Sequence, residues 1–223
     1  MGSEAAEWDS AYRGEAGFDG PPPWNIGEPQ PALAALVKMI RSDVLDAGCG
    51  YADLSLMLAE QGHTVVGIDV APTAVAAARR AARERGLHNA TFVEDDVTTF
   101  TGYDGRFNTV IDSTLFHSLP VEARDAYLRA VHRAAAPGAA FHMLTFATGA
   151  FPPDFPYKPH ELTEDELRES VSKYWVIHYI RPAVIHAYIP QIPDASFEFP
   201  SHETDENGRQ KMPAFLLSAH KAE

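Results

Sequence analysis

The residues best suited to chemistry lie in a glycine turn and at the ends of predicted strands. The segment Asp46-Ala47-Gly48-Cys49-Gly50 stands between a short apolar strand and a helix. Glycines at such a junction allow a tight turn and a close approach of backbone to ligand, and a helix N-terminus favours electronegative groups. Asp69 ends the next predicted strand, 19 residues beyond Gly50. Because a carboxylate there can accept both ribose hydroxyls, the pattern indicates a nucleoside-containing cofactor.

The same turn favours S-adenosylmethionine over phosphate-bearing cofactors. A dinucleotide-binding G-x-G-x-x-G motif would place a third glycine at position 53, where this chain has Asp53, whose carboxylate repels a pyrophosphate. The chain also lacks the Gly-Lys-Ser/Thr sequence of a Walker loop. A cationic cofactor suits the acidic residues near the ends of four predicted strands, which are Asp46, Asp69, Asp96 and Asp112. The alternative, that these carboxylates only cap helices, is less attractive for four in register.

Composition narrows the classes of partner. The chain has 223 residues, 45% of them hydrophobic, and a formal net charge of −13. Such a charge argues against nucleic acid and against an anionic membrane surface as partners. The single cysteine excludes an internal disulfide and a cysteine-based zinc site, and the histidines lack metal-binding spacing. We therefore expect no metal, a small-molecule substrate and, without a signal-like N-terminus, a cytoplasmic protein.

Strands and helices alternate regularly between Pro31 and Phe151, which predicts an α/β fold with a doubly wound, largely parallel sheet. The whole chain, 1–223, is predicted to be one domain. Its predicted strands are 43–47, 64–69, 90–94, 107–112, 139–146, 174–182 and 213–220, and its predicted helices are 4–16, 30–41, 52–61, 72–85, 121–135 and 163–172.

Residues 31–146 resemble the class I S-adenosylmethionine-dependent methyltransferases. The resemblance rests on DAGCG, VVGID, FVEDDV and FNTVIDSTLFHSLP, in that order. It implies a Rossmann-like sheet of seven strands with the last one antiparallel. Ala52 stands where a further glycine is common in these enzymes. The alanine should be tolerated there if its backbone is helical. The resemblance implies cofactor contacts from Gly48 and Gly50 (backbone), Asp69 (ribose), Val70 (adenine), Asp96 and Val97 (adenine edge and face), and Asp112 and Ser113 (methionine end).

The N-terminal segment narrows the resemblance. Trp8-Asp9-Ser10-x-Tyr12-Arg13 and the stretch from Pro23 to Pro31 resemble the thiopurine and thiol methyltransferase-like group, whose N-terminal segment folds over the cofactor as a lid. This places Tyr12 and Trp24 in the cofactor site and divides the domain into a lid (1–30), a cofactor-binding core (31–146) and a substrate cap (147–223). With residues 18–23 and 112–118, the whole chain resembles the mycobacterial heterocyclic toxin methyltransferases, whose acceptors include 1-hydroxyquinolin-4-ones.

Candidate acceptor-site residues follow the fourth predicted strand and lie in proline-rich segments. His117 is the first candidate for a general base, since histidine titrates near neutrality, and a packed structural histidine is the alternative. Tyr12 and His186 are weaker candidates. Aromatic walls for a flat substrate are predicted from Phe116, Phe151 and Tyr188, with Phe155, Tyr157, Phe197 and Phe199 in the same group.

The expected reaction is methyl transfer to the hydroxyl oxygen or the nitrogen of a small aromatic heterocycle. A thiol or thiopurine S-methyltransferase, a nicotinamide-dependent oxidoreductase and a non-catalytic S-adenosylmethionine-binding protein stay open as alternatives.

Overall fold

The computed structural model describes residues 3–15, 21–153, 155, 159–188 and 202–223. Strands and helices alternate through its central part, as the sequence predicts. The strands are β1 (Val44–Ala47), β2 (Val65–Asp69), β3 (Ala90–Glu94), β4 (Phe107–Ser113), β5 (Ala135–Phe146), β6 (Val176–Ala187) and β7 (Gln210–His220). The α-helices are α1 (Ser3–Tyr12), α2 (Pro31–Ala34), α3 (Asp53–Glu60), α4 (Pro72–Glu84), α5 (Arg124–Ala134) and α6 (Glu164–Val171).

The seven strands form one sheet in the order β3-β2-β1-β4-β5-β7-β6. The first five strands are parallel, while β7 runs antiparallel to both of its neighbours, β5 and β6. The predicted class I methyltransferase fold, with its antiparallel last strand, is therefore confirmed. The strand order reverses between β1 and β4, and in such sheets ligands bind beyond the carboxyl ends of the strands at the reversal point.

Apolar residues that alternate along the strands cover both faces of the sheet. Leu45 and Ile68 face one cluster, which α5 and α6 complete, while Val44 and Val65 face a second cluster against α2 and α3. A third cluster joins α3 and α4 beneath β3. Because β1 and β2 are buried along their whole length, the ends of these strands hold the glycine turn on a rigid base.

The helix predicted over 30–41 is wrong. Only Pro31–Ala34 is α-helical, and a 3₁₀ turn follows at Val37–Met39. The chain leaves helical geometry because the Thr109 hydroxyl accepts from the Arg41 N–H (3.0 Å) and donates to the Arg41 carbonyl (2.9 Å), which draws Arg41 alongside β4. Among the described helices, none is long and apolar enough to cross a membrane.

Candidate active site

The glycine turn between β1 and α3 is held against the end of β2. The backbone N–H groups of Gly48 and Cys49 both donate to the Ile68 carbonyl, at 2.8 and 3.1 Å. Gly48 has a φ of +69°, and a β-carbon there would lie 2.9 Å from the Leu115 side chain. Glycine at this position therefore meets both a conformational and a steric demand.

The turn continues through a residue whose backbone differs from the expectation. Ala52 was expected to tolerate the missing glycine by a helical backbone, but its φ of +66° and ψ of +29° are left-handed. An L-residue in this region costs roughly 1–2 kcal/mol. The expectation is corrected because Ala52 precedes α3 as its N-cap residue, where the chain is still turning.

Asp69 lies at the end of β2 and is oriented by two backbone groups. One carboxylate oxygen accepts from the Gly50 N–H (2.8 Å) and the other from the Ala71 N–H (2.9 Å). Burial raises the pKa of Asp69, and these N–H groups oppose that shift. Each oxygen keeps a further lone pair, so the carboxylate can still accept from the hydroxyls of a ribose.

Asp46 carries an unused oxygen into the same region. Its side chain accepts from the Ser55 hydroxyl (2.6 Å) through Oδ2, while the buried Oδ1 has no hydrogen-bond partner in the described part of the chain. Burial raises the pKa of Asp46 to about 7, with the charges of Asp112 and Asp69 adding to the shift. A buried, unpaired carboxylate oxygen fits an ammonium group, which is the chemistry that the methionine end of S-adenosylmethionine presents.

Asp112, expected near the methionine end, is fully enclosed by the chain. One oxygen accepts from the N–H groups of Leu115 (2.9 Å) and Phe116 (3.3 Å), and the other accepts from the Tyr127 hydroxyl (2.7 Å). Burial raises the pKa of Asp112 to about 6. These contacts tie Asp112 to the loop after β4, and its half-buried neighbour Ser113 ends the strand.

The residues expected around the adenine have mixed environments. Val70 directly follows Asp69 and is half-buried. Asp96 lies two residues beyond β3, is exposed, and accepts through one oxygen from the N–H (2.8 Å) and the hydroxyl (2.6 Å) of Thr98. Val97 is buried in the first core cluster. Asp96 is thus not at a strand end, because β3 stops at Glu94. The other three carboxylates are not in register either, since Asp46 pairs with Gly67 and Ile111 rather than with Asp69 and Asp112.

The N-terminal helix closes over the glycine turn through aromatic contacts. The Tyr12 ring meets Trp24 and Tyr51 edge-on, with centroids 6.3 and 5.1 Å apart, and Trp8 meets Trp24 at 5.9 Å. Burial raises the pKa of the Tyr12 phenol well above its usual value. We name this group (Trp8, Tyr12, Trp24 and Tyr51) the aromatic cover. Tyr51 is a member that the sequence reasoning missed.

Asp9 anchors the helix that carries this cover. It is 3% exposed, and one oxygen accepts from the Thr73 N–H (2.8 Å) in the first turn of α4. The other oxygen pairs with Arg13. A carboxylate at a helix N-terminus satisfies an otherwise unpaired N–H and is favoured by the helix dipole. The Asp9 contact therefore fixes α1 to the start of α4.

His117, the candidate base, is 4% exposed and already engaged. Its Nδ1 accepts from the Phe146 N–H (3.2 Å) and lies 3.2 Å from the Thr145 hydroxyl. Burial, with a contribution from the Arg124 charge, lowers the pKa of His117 to about 3. These are the contacts of the packed-histidine alternative, and they leave Nδ1 without the free lone pair that a base needs.

The three predicted substrate walls separate in the structure. Phe116 is fully buried beneath Tyr127 (centroids 6.1 Å apart), which sets it in the core rather than at a cleft. Phe151 is half-buried beyond the end of β5, edge-on to Phe146 (4.8 Å) and stacked on Phe155 (5.7 Å). Tyr188 is 44% exposed and lines a separate surface cleft. The predictions at Tyr157, Phe197 and Phe199 lie outside the described residues.

Contacts between distant segments join residues 21–30 to β6 and β7. The Gln30 side chain exchanges two hydrogen bonds of 2.9 Å with the backbone of His186, which therefore acts as an anchor. Arg209, 5% exposed, pairs with both Glu28 and Asp205. The sequence offered no signal for these contacts, because Glu28 and Arg209 are 181 residues apart.

Two further expectations concern cysteine and metals. Cys49 is half-buried and packs against Gly67, where its sulfur lies 2.8 Å from the position of an added β-carbon, and burial raises its thiol pKa well above the usual value. A raised thiol pKa keeps the sulfur protonated, which disfavours a role as nucleophile. Within the described ranges, no group of three or more potential metal ligands is arranged to hold an ion.

Comparison with known proteins identifies the family. Residues 44–138 match the family model described as a methyltransferase domain. The chain is 50% identical over 219 residues to the 2-heptyl-1-hydroxyquinolin-4(1H)-one methyltransferase of Mycobacteroides abscessus, with 96% of each chain covered. It is 34% identical, with a TM-score of 0.82, to a structure solved in work on the conversion of a disulfide bond into a thioacetal group during echinomycin biosynthesis; 98% of this chain and 92% of that one are covered.

A further solved structure supports the fold alone. The 1,6-didemethyltoxoflavin-N1-methyltransferase of Burkholderia thailandensis, with bound S-adenosylhomocysteine, is 19% identical with a TM-score of 0.65, covering 99% of this chain and 87% of that one. The carboxylates of Asp46 and Asp69 beside the glycine turn are hydrogen-bond acceptors, which is what an ammonium group and ribose hydroxyls need. The chain belongs to the class I S-adenosylmethionine-dependent methyltransferases, with S-adenosylmethionine as its cofactor.

Proposed function

We propose that this methyltransferase transfers the methyl group to the hydroxyl oxygen or the ring nitrogen of a small aromatic heterocycle of the 1-hydroxyquinolin-4-one type. The observation that carries the proposal is the aromatic group beyond β5, where Phe151 stacks on Phe155 and meets edge-on the buried Phe146, the last residue of β5. Flat apolar walls at the carboxyl edge of the sheet suit a planar acceptor. The 50% identity with the hydroxyquinolinone methyltransferase supports the same class.

The roles of the cofactor-binding residues are part of the same proposal. Asp69 takes the ribose hydroxyls, Asp46 Oδ1 takes the ammonium group, and Gly48 and Gly50 let the backbone approach. When bound, S-adenosylmethionine supplies a methyl group already activated by the sulfonium. Tyr12 and Trp24 cover the glycine turn and exclude water from the cofactor. Without water nearby, the in-line displacement by the acceptor does not compete with hydrolysis.

The chain aligns the acceptor rather than deprotonating it. His117 is neutral and its Nδ1 is occupied, and Asp112 is enclosed by three hydrogen-bond donors. Neither side chain can receive the acceptor proton in this arrangement. Acceptors that ionise near neutral pH, such as an N-hydroxy heterocycle, are therefore favoured over simple phenols.

A sulfur acceptor is the second candidate. It is supported by the 34% identity to the structure from work on a disulfide-to-thioacetal conversion. The test is a panel containing a 1-hydroxyquinolin-4-one, a plain phenol, an aromatic ring-nitrogen heterocycle and a purine thiol, each incubated with S-adenosylmethionine and read by mass spectrometry. Preferential methylation of the hydroxyquinolone or of the ring nitrogen supports the proposal, and preferential methylation of the thiol overturns it.

The absence of nucleic-acid partners and the cytoplasmic location stay predictions of the sequence, as does the division of the domain into lid, core and cap.

A further inference from the structure

Thr114, the first residue after β4, has an unusual backbone. Its φ is +71°, in the left-handed region that β-branched residues rarely adopt. Backbone strain of this kind persists where the surrounding structure holds it, and it concentrates at ligand-binding positions. Thr114 lies at the carboxyl edge of the sheet, beside the reversal point between β1 and β4. The outlier therefore occurs where a ligand is expected.

The backbone of Thr114 is held from both sides. Its N–H donates to the Leu144 carbonyl of β5 (3.0 Å), and its own carbonyl accepts from the Ser118 hydroxyl (3.2 Å). The next residue, Leu115, donates its N–H to Asp112 and packs its side chain against Gly48. The position of Thr114 is thus fixed relative to the glycine turn that receives the cofactor.

The side chain of Thr114, in contrast, has no assigned partner. It is half-buried, and within the described part of the chain its hydroxyl makes no hydrogen bond. A threonine hydroxyl offers one donor and two acceptor sites, and such a group at a ligand edge selects ligands that complete its hydrogen bonds.

Resting on the proposed function, we propose that the Thr114 hydroxyl hydrogen-bonds the acceptor molecule and selects heterocycles that carry a second polar atom besides the one that is methylated. The strained backbone fixes the hydroxyl at the carboxyl edge, while the aromatic group beyond β5 receives the flat ring. Thr114 is on this account a specificity residue for the acceptor, with no part in holding the cofactor.

Three variants separate the hydroxyl from the backbone. Thr114→Ser keeps the hydroxyl, Thr114→Val keeps the branched shape and loses the hydroxyl, and Thr114→Gly loses the hydroxyl but adopts the left-handed backbone without strain. The measurements are kcat/KM for 1-hydroxyquinolin-4-one, which has a ring carbonyl, and for 1-naphthol, which lacks a second polar atom, both at an alkaline pH at which the naphthol hydroxyl is ionised as well. Calorimetric titration with S-adenosylmethionine and the melting temperature report cofactor binding and folding.

We expect Val and Gly to lower kcat/KM for the hydroxyquinolone by roughly 10-fold to 100-fold, the usual range when a polar contact to a ligand is lost. We expect Ser to stay within about threefold of the wild type, and the naphthol rate and the cofactor affinity to change little in all three variants. Equal losses on both acceptors, or full activity of the Val or Gly variant, would overturn the inference. Thr114→Gly keeps the test decisive if the Val variant does not fold. If the wild-type enzyme methylates neither acceptor, the proposed function falls and this inference falls with it.

Discussion

The phenol oxygen of Tyr12 lies 2.8 Å from the position that a β-carbon would take on Gly50. The N-terminal helix thus closes directly on the glycine turn, and Gly50 is the point where the predicted lid and the predicted cofactor-binding core meet. A single added methyl group at this position acts on both parts at once.

Gly50→Ala should displace Tyr12 and weaken S-adenosylmethionine binding by at least about tenfold, because an enclosed contact cannot accommodate the methyl group. Calorimetric titration measures the affinity. Gly62→Ala is the matched control: Gly62 also has a positive φ (+90°), but an added β-carbon there has nothing within 4 Å. It should cost stability without changing affinity. Equal losses of affinity in the two variants would mean that backbone strain alone is responsible.

Cofactor affinity should depend on the ionisation of Asp46. Because burial raises the pKa of this carboxyl to about 7, an ammonium ligand must displace a proton at lower pH. We expect affinity about tenfold weaker at pH 6 than at pH 8, with proton release on binding. Titration in buffers of different ionisation enthalpy measures both quantities.

Two variants isolate the contribution of Asp46. Asp46→Asn should bind more weakly and lose the extra slope, leaving only the titration of the ligand's own amino group, which both proteins share. Ser55→Ala should move the inflection to higher pH, since the Ser55 hydrogen bond opposes the raised pKa. If Asp46→Asn kept the wild-type pH profile, the ammonium would bind elsewhere.

Tyr127→Phe should lower the free energy of unfolding by about 1.5–3 kcal/mol, because it removes a hydrogen bond to the buried Asp112 carboxylate. Tyr174→Phe is the control, since Tyr174 donates to the more exposed Asp125, and we expect a loss below about 1 kcal/mol. Chemical denaturation measures both values. Equal losses would show that the buried hydrogen bond stabilises the fold no more than the exposed one.

The hydrogen bond between Tyr127 and Asp112 also predicts how stability changes with pH. The folded pKa of Asp112, about 6, lies above the unfolded value of about 3.9, so the folded state binds the proton more tightly. The contribution of this group to stability therefore falls as pH rises from about 4 to about 6. In Tyr127→Phe the pKa of Asp112 rises further, and the fall should extend to higher pH. A window that does not move would contradict this assignment.

His117→Asn should retain methyl transfer within about threefold, because an asparagine oxygen can still accept from the Phe146 N–H. His117→Ala should instead lower the free energy of unfolding by roughly 2–4 kcal/mol, through a cavity and an unpaired N–H. The kcat pH profile of the wild type should show no inflection from this histidine, whose pKa lies near 3. A folded Asn variant with a large loss of kcat would restore the base hypothesis.

Local patterns predicted the sheet and the carboxylates that follow its strands, because apolar periodicity and turn residues act over short distances. The glycine turn and Asp69 could be predicted from such local patterns. The left-handed backbone of Ala52 and Thr114 could not be predicted, since it depends on contacts with neighbouring strands. The enclosure of Asp112 and His117 was equally hidden, because strand-end polar residues look alike whether they face a ligand or their own loop.

The place of β7 in the sheet has a consequence for synthesis. It is the last of the described strands to leave the ribosome, yet it lies between β5 and β6 rather than at an edge. Until residues 210–220 emerge, the nascent chain leaves the inner edges of both strands without their partner, and such edges promote aggregation. Arg209, which immediately precedes β7, pairs with Glu28. The parallel strands β1 to β5 can thus pair before β7 emerges, whereas the ion pair between Arg209 and Glu28 forms only afterwards.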